Sequence, residues 1–254
     1  MAQGFCWVEL LTSDVEAAQA FYDAIFGWTC AAPGHAQRDY RMFFHEGAAA
    51  AGLMLLPEEA KAQGARPSWF GYIASPDVDA DAAGVVAAGG RLFRAPETLE
   101  RIGRFAVVGD PQGAAFALWA GLGGVNALEH PSLTIGHVGW HELFCDDVEQ
   151  AFAFYSARFG WTKGEALDMG PMGVYQLFAT GGAPVGGMMK RQPAIPQPFW
   201  NHYFTVAALD ATLEKVAKAG GKIVHGPAEV PGGAWIAQCF DPQGAFFSLV
   251  AAKR

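Results

Sequence analysis

The sequence predicts an α+β chain made of two tandem copies of one domain, each copy itself two halves of strand, helix and three strands. Three observations carry that prediction. First, the chain has 254 residues, is 52% hydrophobic and only 17% charged, enough for two cores of ordinary domain size. Second, Trp7-Val8-Glu9-Leu10 returns as Trp140-His141-Glu142-Leu143, Asp14-Val15-Glu16 as Asp147-Val148-Glu149, and Phe26-Gly27-Trp28-Thr29 as Phe159-Gly160-Trp161-Thr162, all at a separation of 133 residues. Third, Trp69, Tyr72, Ala88-Gly89-Gly90 and Asp110-Pro111-Gln112-Gly113-Ala114 recur at a separation of 131 in Trp200, Tyr203, Ala219-Gly220-Gly221 and Asp241-Pro242-Gln243-Gly244-Ala245. The domains are expected at 1–120 and 134–254. Residues 121–133, which open on Gly121-Leu122-Gly123-Gly124 and reach Pro131, read as a linker.

Within the first copy the elements follow in order. FCWVELLT alternates like a strand, and Ser13 or Asp14 then offers an oxygen to the free N–H groups of a helix start. Val15, Ala18, Phe21, Tyr22 and Ile25 fall on one helical face, and Gly27 stands where a left-handed stop is wanted. Tyr40–His45 reads as a strand. WFGYIAS opens the second half, followed by a helix from Asp77-Val78-Asp79-Ala80 to Gly89-Gly90. Leu92–Arg94, Arg104–Val108 and Ala115–Trp119 are short strands, the last two joined by the Asp-Pro-Gln-Gly turn. Phe21-Tyr22 and Phe154-Tyr155 read as helix anchors of the core. Gly186-Gly187-Met188-Met189, matching Ala51-Gly52-Leu53-Met54, reads as a strand whose methionines pack.

Composition and motifs exclude several functions. A net charge of -8 speaks against a nucleic-acid or anionic-membrane partner. No stretch approaches the ~18 apolar residues of a membrane span. The first residues carry neither a basic region nor an apolar run, so a cytoplasmic location is expected. Cys6, Cys30, Cys145 and Cys239 lack metal-finger or redox spacing and read as free thiols. No Gly-x-Ser-x-Gly, Walker or zinc-protease motif occurs.

The strand, the Asp-Val-Glu helix start, Phe-Tyr…Phe-Gly-Trp and the late Asp-Pro-Gln-Gly turn together resemble the vicinal oxygen chelate superfamily of glyoxalases, bleomycin-resistance proteins and dioxygenases. The likeness covers roughly residues 4–120 and 134–252. Trp-x-Glu-Leu with the later Trp-x-x-Tyr is similar to its two-domain glyoxalase-like bacterial members of the hydroxylase-like or 27 kDa antigen type. The resemblance implies a tandem pair of vicinal-oxygen-chelate domains, each two βαβββ modules forming an incomplete barrel. It also implies a divalent metal held by His, Gln and Glu. Carried over residue by residue, the first ligand position falls on Trp7 and Trp140, another on Phe70 and Asn201, and the last on Ala117 and Ser248. Indole and phenyl rings cannot ligate, and Asn201 and Ser248 offer only neutral oxygens. No metal site or other cofactor is therefore predicted, although a rearranged site for a divalent metal stays open.

Strand alternation groups Trp7 with Glu9, Trp140 with Glu142, Phe70 with Tyr72 and Asn201 with Tyr203. Aromatic walls with a few polar groups describe a small-molecule pocket. Trp7, Phe70, Tyr72, Trp140, Asn201, Tyr203 and Ser248 are candidate ligand contacts. Glu9 and Glu142 are candidate bases, metal ligands or anchors for a cation, or simply carboxylates satisfied by backbone N–H groups or a Tyr hydroxyl. His141 and His202 fall on the other face and read as core; His137 with Glu142 and Asn201 is a further conceivable site. His35, His45, His130 and His225 fall in or near loops and have no counterpart between copies. Three readings stay open: a binding protein for a small aromatic or cationic molecule, an enzyme of lyase, isomerase or dioxygenase/hydroxylase type with a Glu base or rearranged metal, and an interaction module. A monomer or homodimer is expected.

Overall fold

The computed structural model describes residues 2–31, 40–122 and 133–254. The expected linker falls mostly outside the described residues, as do His35, His130 and Pro131. The first copy runs β1 (Phe5–Thr12), α1 (Val15–Phe26), β2 (Thr29–Ala31), β3 (Arg41–His45), β4 (Ala48–Leu55), α2 (Glu58–Ala62), β5 (Ser68–Ala74), α3 (Val78–Ala87), β6 (Arg91–Leu99), β7 (Gly103–Gly109) and β8 (Ala115–Gly121). The second runs β9 (Val138–Cys145), α4 (Val148–Phe159), β10 (Thr162–Asp168), a 3-10 turn (Gly170–Met172), β11 (Val174–Ala179), β12 (Pro184–Lys190), β13 (Phe199–Thr205), α5 (Leu209–Lys218), β14 (Lys222–Glu229), β15 (Trp235–Phe240) and β16 (Phe246–Ala251). Each half is thus βαβββ.

Local chemistry sets the boundaries. Asp14, in extended backbone, accepts from the Ala17 N–H at 2.9 Å, and Asp77 and Asp147 do the same for Ala80 and Gln150. Both α1 and α4 stop at a left-handed glycine, Gly27 at φ 66° and Gly160 at φ 71°. α5 starts at Ala208 without a side-chain cap, and within it the Thr212 hydroxyl donates to the Ala208 carbonyl.

Each copy's strands form one open eight-stranded sheet, ordered β2-β3-β4-β1-β5-β8-β7-β6 and β10-β11-β12-β9-β13-β16-β15-β14. The last strand of every half returns parallel to its first: β4 beside β1, β8 beside β5, β12 beside β9, β16 beside β13. The pairs β2–β3, β3–β4, β6–β7, β7–β8, β10–β11, β11–β12, β14–β15 and β15–β16 are antiparallel. Among the described residues, no helix is long and apolar enough to cross a membrane.

The described residues fall into two compact units, and each unit draws on both copies. One contains residues 2–7, 70–122 and 141–201; the other contains 8–31, 40–69, 133–140 and 202–254. In the first unit α3 packs with α4 over a core that includes Ile73, Val85, Phe116, Leu143, Tyr155, Trp161 and Trp200. In the second, α1 packs with α5 over Leu10, Phe21, Tyr22, Trp28, Trp69, Phe204, Leu213 and Phe247.

One hydrogen-bonded chain recurs in the two cores. In the second unit Trp69 Nε1 donates to the Tyr22 hydroxyl at 2.9 Å, and that hydroxyl donates to Asp241 Oδ2 at 3.0 Å. Asp241 Oδ1 accepts from the N–H groups of Gln243 and Ala245 in its own turn. In the first unit Trp200, Tyr155 and Asp110 repeat this at 2.9 and 3.1 Å. So Phe-Tyr of each helix anchors the core, and its Tyr also grips the Asp-Pro-Gln-Gly turn of the other copy. Burial pushes both Asp carboxyls above their ordinary range against the pull of their N–H and O–H donors, and pushes both Tyr hydroxyls far up.

Candidate functional site

The core assignments decide which side chains lie on the helix-free face of each sheet. Val8 and Leu10 of β1 join the helix-side core, so Trp7 and Glu9 alternate to the other face. Leu143 and Cys145 of β9 do likewise, leaving Trp140, Glu142 and Phe144 opposite. Trp69 and Ile73 of β5 face the helices, leaving Phe70 and Tyr72. Trp200 and Phe204 of β13 leave Asn201 and Tyr203, and Phe247 and Leu249 of β16 leave Ser248. The predicted site residues thus lie on the helix-free faces.

In the first unit two of these polar side chains meet. Asn201 Nδ2 donates to Glu142 Oε2 at 3.2 Å, and the two side chains are 2% and 5% exposed. A buried carboxylate is costly unless polar groups meet it, and this amide does. Around the pair the surface is apolar. Phe144 and Phe199, which share its strands and face, stack with ring centroids 5.2 Å apart. Gly187 stands beside Glu142 in register, and the Tyr175 ring lies where a Cβ on Gly187 would be, so a side chain there would displace that ring. Met189 follows on the same strand and is buried, while Met188 faces the core.

Elsewhere in the first unit, Phe70 meets Tyr72 edge-on at 6.0 Å, and Tyr72 meets Trp119 at 6.3 Å. The Arg94 guanidinium covers the Phe105 ring at 4.8 Å and pairs with Glu97. In the second unit Glu9 is 4% exposed and stands beside Gly52 in register. Tyr203, Ser248 and Gln238 are neighbours in register there, and Gln238 Nε2 donates to the Tyr203 hydroxyl at 3.2 Å.

The histidines divide. His202 is buried, and burial pushes its ring down to about 3, so it stays neutral. His141 is half-buried and stacks on Phe5 at 4.2 Å. His137 is buried in the second unit, its Nδ1 3.1 Å from the Ile135 carbonyl and its ring 5.9 Å from that of His45, whereas Glu142 and Asn201 belong to the first unit. All four cysteines are free, and burial pushes the thiols of Cys6, Cys145 and Cys239 up to about 12, out of the reactive range.

The residues at the expected ligand positions do not fit a divalent ion. Trp7, Trp140, Phe70 and Ala117 have no donor atom to give, and Asn201 and Ser248 bring no charge. Among the described residues, no three His, Cys, Asp or Glu side chains gather as a metal ion requires. Sequence reasoning missed Tyr175, Phe144, Phe199, Trp119 and Gln238. Alternation of β9 and β13 from Glu142 and Asn201 would have found Phe144 and Phe199; Gln238 had no repeated letter to mark it, since its counterpart is Val107.

Comparison with known proteins agrees with this architecture. Residues 134–249 match the model of the Glyoxalase/Bleomycin resistance protein/Dioxygenase superfamily, and residues 5–43 match the bleomycin resistance protein-like N-terminal model. The chain is 36% identical over 252 residues to the protein named "Putative glyoxylase CFP32" of Mycobacterium tuberculosis, covering 96% of this chain and 93% of that one. It is 32% identical over 264 residues to the anthracycline biosynthesis protein DnrV of Streptomyces peucetius, covering 97% and 92%. Among solved structures it resembles the Mn(II)-bound glyoxalase of Novosphingobium aromaticivorans, with a TM-score of 0.68 at 17% identity over 99% of this chain and 82% of that one. The 2,2',3-trihydroxybiphenyl 1,2-dioxygenase of Sphingomonas wittichii gives 0.68 at 10% identity over 99% and 91%. At such identities the structural likeness speaks for the fold alone.

Proposed function

The chain belongs to the glyoxalase/bleomycin resistance protein/dioxygenase superfamily, and from that premise we propose that it binds a small aromatic molecule on the helix-free face of its second copy, anchored at Glu142 and Asn201. The observation that carries the reading is the Asn201–Glu142 hydrogen bond, buried where the first copy has Phe70 in place of the amide. Two copies of one ancestor need no such pair for folding, because the first does without it. Phe144, Phe199, Tyr175 and Met189 supply an apolar surround suited to an aromatic body. The relative named for anthracycline biosynthesis supports that ligand class. Trp140, Tyr203 and Ser248 belong to the other compact unit and are candidate contacts there by themselves; Trp7 and Tyr72 are the first-copy counterparts of Trp140 and Tyr203, and Phe70 is that of Asn201. The domains are taken as 1–120 and 134–254, and the chain as a monomer or homodimer. The four free cysteines support a cytoplasmic location.

The test is titration of the full-length protein with 2-naphthol, followed by tryptophan fluorescence. Saturable quenching that weakens at least tenfold in Glu142→Gln and in Asn201→Phe is expected; unchanged binding in both variants overturns the reading.

A second reading is favoured by the same bond. An amide that orients a buried carboxylate also prepares a general base, and two relatives carry the enzyme name glyoxylase. Turnover lost in Glu142→Gln with ligand binding retained would establish it. Glu9 would be the corresponding base of the first copy. Stoichiometric metal retained after desalting, and lost in Glu142→Ala, would instead establish a rearranged metal site.

A further inference from the structure

A cavity of about 130 Å³ opens in the second unit between the end of α1 and α5. Ile25, Phe26 and Val206 give it apolar walls, and Thr212 and Lys215 stand one turn apart on α5 beside it. Lys215 is the one cation among the lining residues. It makes no ion pair among the described residues, whereas Lys218 on the same helix pairs with Glu214. The duplication supplies an internal comparison. At separations of 133 and 131 residues, Gly136, Ile25, Val206, Thr212 and Lys215 correspond to Gln3, Arg158, Ser75, Asp81 and Gly84 of the first unit. Trp28 Nε1 donates to the Gly136 carbonyl at 2.9 Å as Trp161 Nε1 does to that of Gln3 at 2.6 Å, so the two places are equivalent. In the first unit side chains occupy this place. Gln3 Nε2 and Ser75 Oγ both donate to Asp81 Oδ2, at 3.2 and 2.6 Å, and the Arg158 guanidinium lies against Gly84. In the second unit glycine, valine and threonine replace that network, and isoleucine replaces the arginine. The carboxylate is gone, and a cation stands where the first unit has glycine.

We propose that this cavity binds a short aliphatic carboxylate, its tail between Ile25, Phe26 and Val206 and its charged head paired with Lys215. The inference is independent of the site at Glu142 and Asn201, which lies in the other unit. Size sets the tail. An apolar cavity of about 150 Å³ takes benzene, so this slightly smaller one takes a chain of about three to five carbons. Chemistry sets the head. The Thr212 hydroxyl hydrogen is engaged by the Ala208 carbonyl, so that side chain offers only lone pairs. Lys215 is therefore the group that selects charge. Its stem lies along apolar surface while its ammonium stays at the mouth, where a carboxylate keeps part of its water. A ligand carboxylate there returns to the second unit the anion that Asp81 supplies in the first.

The experiment titrates the full-length protein with sodium butyrate at constant ionic strength and follows the backbone amides by NMR. Saturable shifts are expected at Val206, Thr212 and Lys215 and not at Asn201. Lys215→Glu is expected to weaken binding at least about fivefold, as loss of a partly exposed ion pair does. Lys218→Glu carries the same charge change on the same helix and is expected to leave affinity within about twofold. Both lysines are exposed, so neither variant removes a core contact. 1-Butanol, which has the tail without the charge, is expected to bind at least about fivefold more weakly than butyrate. Equal weakening in the two lysine variants, equal affinity for 1-butanol, or no saturable shift in wild-type protein overturns the inference. None of these outcomes bears on the binding of 2-naphthol.

Discussion

In the first unit the turn Asp110-Pro111-Gln112-Gly113 holds a helix start; in the second unit the matching turn Asp241-Pro242-Gln243-Gly244 does not. Gln112 Oε1 accepts from the N–H groups of Asp146 and Asp147, and its Nε2 donates to the Asp147 carbonyl, all within 2.8 Å. Gln243 Oε1 is buried and finds no hydrogen-bond partner among the described residues. The reason lies two residues before each cap. Thr12 accepts from the Asp14 N–H through its own hydroxyl at 3.3 Å, so the start of α1 is already served. Its counterpart is Cys145, a weak acceptor whose thiol instead turns to the Met189 carbonyl. The aspartates of the two turns, by contrast, do identical work. Groups that close the core have thus stayed alike in both copies, while contacts at the rim and on the helix-free face have drifted apart, each drift answered by a neighbour.

Four experiments break or sharpen that comparison. The largest effect is expected at the shared core. Asp110→Ala and Asp241→Ala should each cost about 3 kcal/mol in urea unfolding, since each strands two backbone N–H groups and a Tyr hydroxyl. Unequal losses would show that the two cores are not equivalent. Next, Tyr22→Phe and Tyr155→Phe should each cost about 1–2 kcal/mol, because the Trp N–H and one Asp oxygen lose their partner.

The third is a pH dependence. The folded-state carboxyls of Asp110 and Asp241 lie above their ordinary value of 3.8, so the native state holds these protons more tightly than the unfolded state. Their contribution is fully present below 3.8 and is lost as pH climbs through the raised folded values. Relative to Asp110→Asn/Asp241→Asn, wild-type stability should therefore fall across that window; a parallel pair of curves would refute the assignment. The smallest effect separates the glutamines. Gln112→Ala should cost about 1 kcal/mol, the worth of a helix cap, and Gln243→Ala less than about 0.5 kcal/mol. Adding Cys145→Thr to Gln112→Ala should recover part of the loss by copying the Thr12 arrangement.

Much of this was legible in the sequence, for reasons that particular residues make clear. The duplication was visible because Trp, Asp, Phe-Tyr, Phe-Gly-Trp and Asp-Pro-Gln-Gly are set by geometry that tolerates few substitutes: Asp14 and Asp147 cap, Gly27 and Gly160 take positive φ, Asp110 and Asp241 tie their turns. Glu142 and Asn201 were legible because alternation along a strand puts every second residue on one face. The Tyr22–Asp241 bond was not, since the partners lie 219 positions apart and a repeat reveals which segments are alike rather than which ones touch. The signal was nonetheless present: Asp, Tyr and Trp each recur in both copies. α2 escaped because its five residues carry no apolar period. Gln238 escaped because its counterpart is Val107, so no repeated letter marks it.

The central claim is that the second copy's helix-free face, and not the first's, holds the ligand. Its most direct test is a pair of exchanges between the copies, Asn201→Phe and Phe70→Asn, titrated with 2-naphthol beside wild-type protein. The account predicts that Asn201→Phe loses binding at least tenfold while Phe70→Asn retains wild-type affinity. Loss of binding in Phe70→Asn with Asn201→Phe unaffected would contradict it and move the site to the first copy.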